Sequence, residues 1–174
     1  MPKATKQVAI LVEDHYQVLE VWYPLLRLAE DGIQVKTIGP GGKETYLSKE
    51  GYPVKADLAI QNARVQDFDG VIIPGGWAPD YLRRHEAIVN FVKRLYIDGR
   101  VVASICHGGW LLVSADIARG NKVTCFHAIK DDLIAAGGIY LDREVVVDKN
   151  LVTSRKPEDL PRFMVEIIKL LKKR

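Results

Sequence analysis

The sequence predicts an α/β sandwich, a mostly parallel sheet covered by helices on both faces. Two observations carry this. Short apolar runs rich in Val and Ile alternate with amphipathic segments of helical spacing along the whole chain, the pattern of βαβ units. Several of the runs stop at glycine-rich or reactive stretches, where sheets of this class hold their chemistry, at the carboxyl ends of the strands. At 174 residues the length suits one domain spanning 1–174.

Each element has a local reason. Gln7–Val12 is a buried-strand run. Gln17–Asp31 places Val18, Val21, Trp22, Leu25 and Leu28 on one helical face and ends at Gly32; Pro24 within it removes a backbone donor and predicts a kink. Ile33–Ile38 alternates as a second strand and ends at Gly39-Pro40-Gly41-Gly42. Residues 43–56 form a short β excursion with Lys49-Glu50-Gly51-Tyr52-Pro53 as its loop. Asp69–Ile73 is a third buried strand, stopped by Pro74-Gly75-Gly76. Glu86–Asp98 is an amphipathic helix closed by Gly99, and Val101–Ile105 a strand followed by a helix after Cys106. Ala128–Ala136 is helical, Glu144–Asp148 and Leu151–Ser154 pair as a hairpin, and Pro157–Lys172 is the last helix, with Pro early in it.

Composition narrows the function. Hydrophobic content of 48% and charged content of 27% suit a soluble protein with a real core. No apolar run approaches a membrane span, and the N-terminus has no signal-like apolar region. Two cysteines do not make a disulfide framework, so the cytoplasm is the expected location. The net charge of +3 is terminal in origin: Lys3, Lys6, Lys169, Lys172, Lys173 and Arg174 are six of the 25 basic residues, and without them 19 face 22 acids. Nucleic acid and membrane are therefore not expected as partners.

The carboxyl-edge rule selects the loops after Val12, Ile73, Ile105 and Thr124. The third is the most informative. Val101–Ile105 ends abruptly at Cys106-His107-Gly108-Gly109, a strand turning sharply into a helix with a cysteine at the corner, the nucleophile-elbow arrangement. A helix N-terminus there favours thiolate over thiol; the bland alternative is an inert buried cysteine. His107 is a side-chain base, a backbone N–H donor to an oxyanion, or both. Pro74-Gly75-Gly76 either aims a second backbone N–H at the same oxyanion or is simply a turn. Glu20 is either a half-buried carboxyl of raised pKa beside the thiol or a surface group. Asp80 either orients an imidazole or caps a short helix. Trp77 and Trp110 flank two of the loops and wall a pocket or fill a core, and His15, Phe126 and His127 lie in loops expected to line it. No HxxxH, HExxH or CxxC spacing occurs, so neither metal nor other cofactor is expected.

Longer stretches carry a family resemblance. Ala-Ser-Ile-Cys-His-Gly at 103–108, Ile-Ile-Pro-Gly-Gly-Trp-Ala-Pro-Asp-Tyr-Leu-Arg at 72–83, Ile-Lys-Asp-Asp-Leu-Ile-Ala-Ala-Gly at 129–137 and the run from Glu144 to Pro161 resemble the PfpI-type intracellular proteases of the ThiJ/PfpI superfamily. The resemblance runs from about Gln7 to about Leu171. It implies a flavodoxin-like three-layer α/β/α sandwich related to the class I glutamine amidotransferase domain. It also implies Cys106 as nucleophile, Glu20 as its paired acid, and an oxyanion hole from the amides of Gly76 and His107. His107 would be completed by an acid from a neighbouring subunit, which falls here at Asp80, so a homo-oligomer (dimer or hexamer) is expected. Family members are described as peptidases, glyoxalase-like enzymes, deglycases and stress proteins.

The resemblance also excludes a standard glutaminase, a relative that needs a downstream His-x-Glu, because the last histidine, His127, is followed by Ala128-Ile129. The chain also departs from the family pattern at Gly109-Trp110, in its first loop, at Asp80 where Glu also occurs, and at Phe126 where some proteases have Tyr. The leading expectation is a cysteine-dependent hydrolase or lyase acting on a small carbonyl compound or a peptide. A redox or stress sensor built on an oxidisable Cys106, and a binding module with a vestigial elbow, are the alternatives.

Overall fold

The computed structural model describes residues 6–173. Its central sheet has seven strands: β1 (Gln7–Leu11), β2 (Gln34–Gly39), β5 (Leu58–Ala59), β6 (Gly70–Ile73), β7 (Val101–Ile105), β10 (Val145–Asp148) and β11 (Leu151–Ser154). They lie in the order β10-β11-β7-β6-β1-β2-β5. All neighbours pair in parallel except β10 and β11, the expected hairpin. Without the two edge strands the order in chain sequence is 2-1-3-4-5, that of flavodoxin-like sheets. β6 and β7 are buried at every position, as strands covered on both faces must be.

The helices are α1 (Val18–Glu30), α2 (Ala78–Leu82), α3 (Glu86–Ile97), α4 (Gly109–Ser114), α5 (Lys130–Ala135) and α6 (Leu160–Lys173). α1 and α6 pack on each other as one layer, while α3 lies against β6 and β7. Fully buried Val21 and Leu28 anchor α1, each side chain contributing about 1.5–3 kcal/mol relative to exposure. The kink expected at Pro24 does not interrupt α1, which runs through it as one helix. Its start is fixed by Gln17, whose side-chain oxygen accepts from the amides of Leu19 (2.7 Å) and Glu20 (3.3 Å).

Two small sheets stand outside the central one. β3 (Thr45–Leu47) and β4 (Pro53–Lys55) form the expected excursion. β8 (Lys122–Val123) pairs with β9 (Ile139–Tyr140), which corrects the expectation for the fourth loop. That loop leaves a separate two-stranded sheet, not the central one, and is held over the elbow by the Phe126 amide donating to the Cys106 carbonyl at 3.3 Å. Among the described residues, no helix is long and apolar enough to cross a membrane.

Candidate active site

The elbow is a strained turn. Cys106 has φ +59°, a left-handed conformation that costs a non-glycine residue on the order of 1–3 kcal/mol. One turn of 3-10 helix, Cys106–Gly108, separates β7 from α4. The residue is 7% exposed, so its thiol sits at the floor of a cleft of about 210 Å³ and not on the surface.

Glu20 comes to the thiol from the first turn of α1 and is wholly buried. One of its oxygens, Oε2, accepts from the Gly75 amide at 2.6 Å. The other, Oε1, is buried without a hydrogen-bond partner, and the Cys106 thiol is the polar group beside the carboxyl. The closeness of this packing explains the glycine at 75: a Cβ there would lie 2.7 Å from both Cys106 Cβ and Glu20 Oε2 and 3.0 Å from the sulfur. Gly76 has φ +73°, and a Cβ on it would lie 2.3 Å from the His15 carbonyl oxygen.

Burial pushes the Glu20 carboxyl up to about 7, opposed by its bonds to Gly75 and Cys106. Burial, reinforced by the Glu20 carboxylate, pushes the Cys106 thiol up to about 12, while the amides of His107 and Gly76, both in contact with the sulfur, act the other way. The helix N-terminus, expected to favour thiolate together with a base such as His107, is opposed here by desolvation of the sulfur. The helix behind the elbow is short, and burial outweighs it. Between about pH 7 and 12 the two groups hold one proton between them, a property of the pair and not of either residue.

His107 Nδ1 lies 3.3 Å from the sulfur. Burial first, then Lys49 and His127, push its pKa below the ordinary imidazole value, so the ring is neutral at pH 7. Aromatic neighbours hold it: Phe126 stacks on it at 5.0 Å, Trp110 meets it edge-on at 5.1 Å and Trp77 lies at 5.6 Å.

The remaining sequence-predicted residues divide. Trp77 and Phe126 line the cleft. Trp110 does not; it buttresses His107 and donates from Nε1 to Asp132 at 2.7 Å. His15 is not in the cleft either. Its ring faces Tyr81 and lines a separate cavity with Glu13, Asp14, Arg84 and His85, because φ +60° turns the residue away; what it gives the cleft wall is a carbonyl that accepts from the Trp77 amide at 2.9 Å. His127 lines an adjoining cavity of about 180 Å³ with Cys125, Tyr140 and Arg155, on the far side of Phe126. Asp80, on α2, is ion-paired to Arg84 just beyond the helix and makes no hydrogen bond or ion pair with His107 of its own chain.

Sequence reading missed Gln17, Lys49 and Pro157, which also line the cleft. Lys49 arrives because the β3–β4 loop is knitted to the first loop, its amide donating to the Tyr16 carbonyl at 3.0 Å. Buried Tyr16 donates to the Tyr52 carbonyl at 2.8 Å across the same junction. A larger cavity of about 550 Å³ between Gly41 and Ala59 lies away from the thiol, with its Lys55 already paired to Glu44. Among the described residues, no group of three or more His, Cys, Asp or Glu assembles as a metal site.

The sequence profile of the DJ-1/PfpI family matches residues 6–170. The chain belongs to the DJ-1/PfpI family. A deglycase of Pyrococcus horikoshii is 42% identical over 166 residues, 95% of this chain and 99% of the relative. The protein/nucleic acid deglycase 2 of Escherichia coli is 40% identical over 169 residues, 96% and 98% of the two chains. A crystal structure of a two-domain protein of Anabaena variabilis, with DJ-1/ThiJ/PfpI-like and ferritin-like domains, superposes with a TM-score of 0.94 at 40% identity. It covers 97% of this chain, which spans 48% of that protein. The DJ-1/PfpI membership agrees with the resemblance carried by the Cys-His-Gly and Pro-Gly-Gly stretches, and the flavodoxin-like sandwich it implied is the observed fold.

Proposed function

We propose that this member of the DJ-1/PfpI family is a cysteine-dependent enzyme that removes small ketoaldehyde adducts from thiols or amines. The observation that carries the reading is the buried Glu20–Cys106 pair, with the amides of Gly76 and His107 facing the same sulfur. Cys106 Sγ attacks the adduct's carbonyl carbon, and the thiol proton passes to the Glu20 carboxylate, the acceptor beside it. The developing oxyanion, on the carbon now bonded to sulfur, takes hydrogen bonds from those two amides. The bond to the thiol or amine breaks at the neighbouring carbinol carbon: neutral His107, 3.3 Å from the sulfur, takes that carbon's hydroxyl proton and passes it to the departing group, leaving an aldehyde there, and reversal of the sulfur's attack then returns the Cys106 thiol and frees the ketoaldehyde, which water hydrates. Asp80 is assigned to the His107 of a neighbouring subunit, which makes the working form an oligomer. The cleft of about 210 Å³ suits a small adduct better than an extended peptide, and the deglycase names of its relatives favour the same chemistry.

The experiment is turnover of the methylglyoxal hemithioacetal of N-acetylcysteine, followed by its absorbance and corrected for spontaneous reversal. A glycated nucleotide and a chromogenic peptide run in parallel. Turnover of the adduct, with a covalent mass increase mapped to Cys106 on rapid quenching, is the expected result. Cleavage of the peptide alone would make the protein a peptidase. Oxidation of Cys106 by peroxide with no turnover of any substrate would make it a redox sensor.

A further inference from the structure

The cleft above Cys106 is electrostatically one-sided. Its wall holds Gln17, Trp77, His107, Phe126 and Pro157, and its one formal charge is Lys49. Lys49 makes no ion pair among the described residues, although the chain pairs many of its other cations with acids. Its backbone is fixed, by the bond to the Tyr16 carbonyl and by Ser48, whose Oγ accepts from the amides of Glu50 (3.1 Å) and Tyr52 (3.0 Å). The ammonium lies close enough to bear on both Glu20 and His107. Glu50, beside Lys49 on the loop, and Glu158, which follows Pro157 in the chain, form no ion pair with it. Arg155, beyond Phe126, is already neutralised by Asp142 and Asp159. Glu20, buried behind the thiol, is the carboxylate that bears against Lys49, and an exposed cation on the cleft wall raises the local concentration of anionic reactants.

We infer that Lys49 is a specificity-determining residue that selects carbonyl substrates bearing an anionic group, a carboxylate or a phosphate, close to the carbonyl attacked by Cys106. The inference rests on the proposed role of Cys106 as nucleophile, but its test does not depend on turnover. Iodoacetate and iodoacetamide are nearly isosteric alkylating agents, one anionic and one neutral, and the ratio of their rates at Cys106 reads the field at the sulfur. Cys125 is replaced by Ala in every sample so that one thiol is read.

Lys49→Met lowers the iodoacetate-to-iodoacetamide ratio by about three- to fivefold, the range of an exposed charge contact, and Lys49→Glu lowers it by about tenfold or more. Lys49→Arg, which keeps the charge, retains the wild-type ratio. Raising the salt to about 0.5 M brings the wild-type ratio toward that of Lys49→Met. Any change in thiol reactivity as such moves both reagents together and cancels. A second pair gives the substrate version: the methylglyoxal hemithioacetals of N-acetylcysteine and of its methyl ester, with Lys49→Met raising KM selectively for the carboxylate. A ratio that is unmoved by Lys49→Glu and insensitive to salt overturns the inference, as does a Lys49→Arg variant that behaves like Lys49→Met. If the alkylation ratio moves and neither hemithioacetal is turned over, the electrostatic selection stands and the proposed reaction is what fails.

Discussion

Two cysteines of this chain are buried, one 7% and the other 1% exposed, and burial pushes both thiols up to about 12. By that measure they are equals. They differ in what surrounds the sulfur. Cys106 sits at a strained elbow beside a proton acceptor, Glu20, with two backbone amides on the sulfur and a cleft above it. Cys125 lies in an unstrained loop, and the one charge that bears on it, Asp132, only raises its pKa further. The contrast teaches that a thiol's ordinary-state acidity is a poor guide to its chemistry when the proton has somewhere to go within the site. In the proposed reaction the acceptor and the donors, and not a thiolate standing ready, supply the reactivity.

Replacement tests the comparison most severely. Cys106→Ala is expected to lower kcat/KM on the hemithioacetal by about a thousandfold or more, while Cys125→Ala stays within about threefold of the parent. Comparable losses in both would erase the distinction. Next comes the acceptor. Glu20→Gln should slow iodoacetamide at Cys106 by about a hundredfold at pH 8 and leave Cys125 unaffected, as read by peptide mass spectrometry. Below pH 7 Glu20 itself carries the proton and cannot take the thiol's. The parent's alkylation rate should therefore rise with pH through an inflection near 7 that Glu20→Gln lacks; an inflection that survives the substitution assigns it to another group.

The same carboxyl has a cost in stability. Its folded-state pKa, about 7, is above the unfolded 4.5, so the stability it contributes is full below pH 4.5 and lost as pH rises through 7. The difference is on the order of 3 kcal/mol, and thermal melts should show Glu20→Gln gaining on the parent at pH 8 relative to pH 4.5. Equal differences in Tm at the two pH values would mean that Glu20 is not burdened by ionisation. The smallest effect is expected at Gly75. Gly75→Ala must push its methyl against Cys106 and Glu20, and overpacking of this kind costs typically about 1–3 kcal/mol, measurable by urea unfolding.

Much of this was legible in the chain. The apolar runs and their terminators located β1, β6 and β7, and the abrupt end of Val101–Ile105 at Cys106 announced the elbow. Glu20 was singled out as a carboxyl among apolar residues, yet whether it was buried or exposed could be decided only by the packing of α1 against the Pro-Gly-Gly loop. Local pattern failed where long-range contacts decide. β8 and β9 are two residues each, too short for any alternation to register. His15 and His127 were grouped with the thiol because their loops converge, but a left-handed residue turns one ring away and Phe126 screens the other. Lys49 was read only as part of a loop, since nothing next to it in sequence reveals that Tyr16 draws that loop over the cleft.

The attachment of that hairpin separates access to the cleft from the packing beneath it. Cys106, Glu20 and the amides of Gly76 and His107 come from the ends of the central strands and from α1, and their packing leaves little room for substitution. The hairpin tip at 48–52 belongs to a two-stranded sheet outside that frame and meets it through backbone contacts to Tyr16 that do not require a particular side chain at 49. The side chain at the cleft mouth can thus be exchanged, and with it the compounds that gain entry, without disturbing the packing around the thiol.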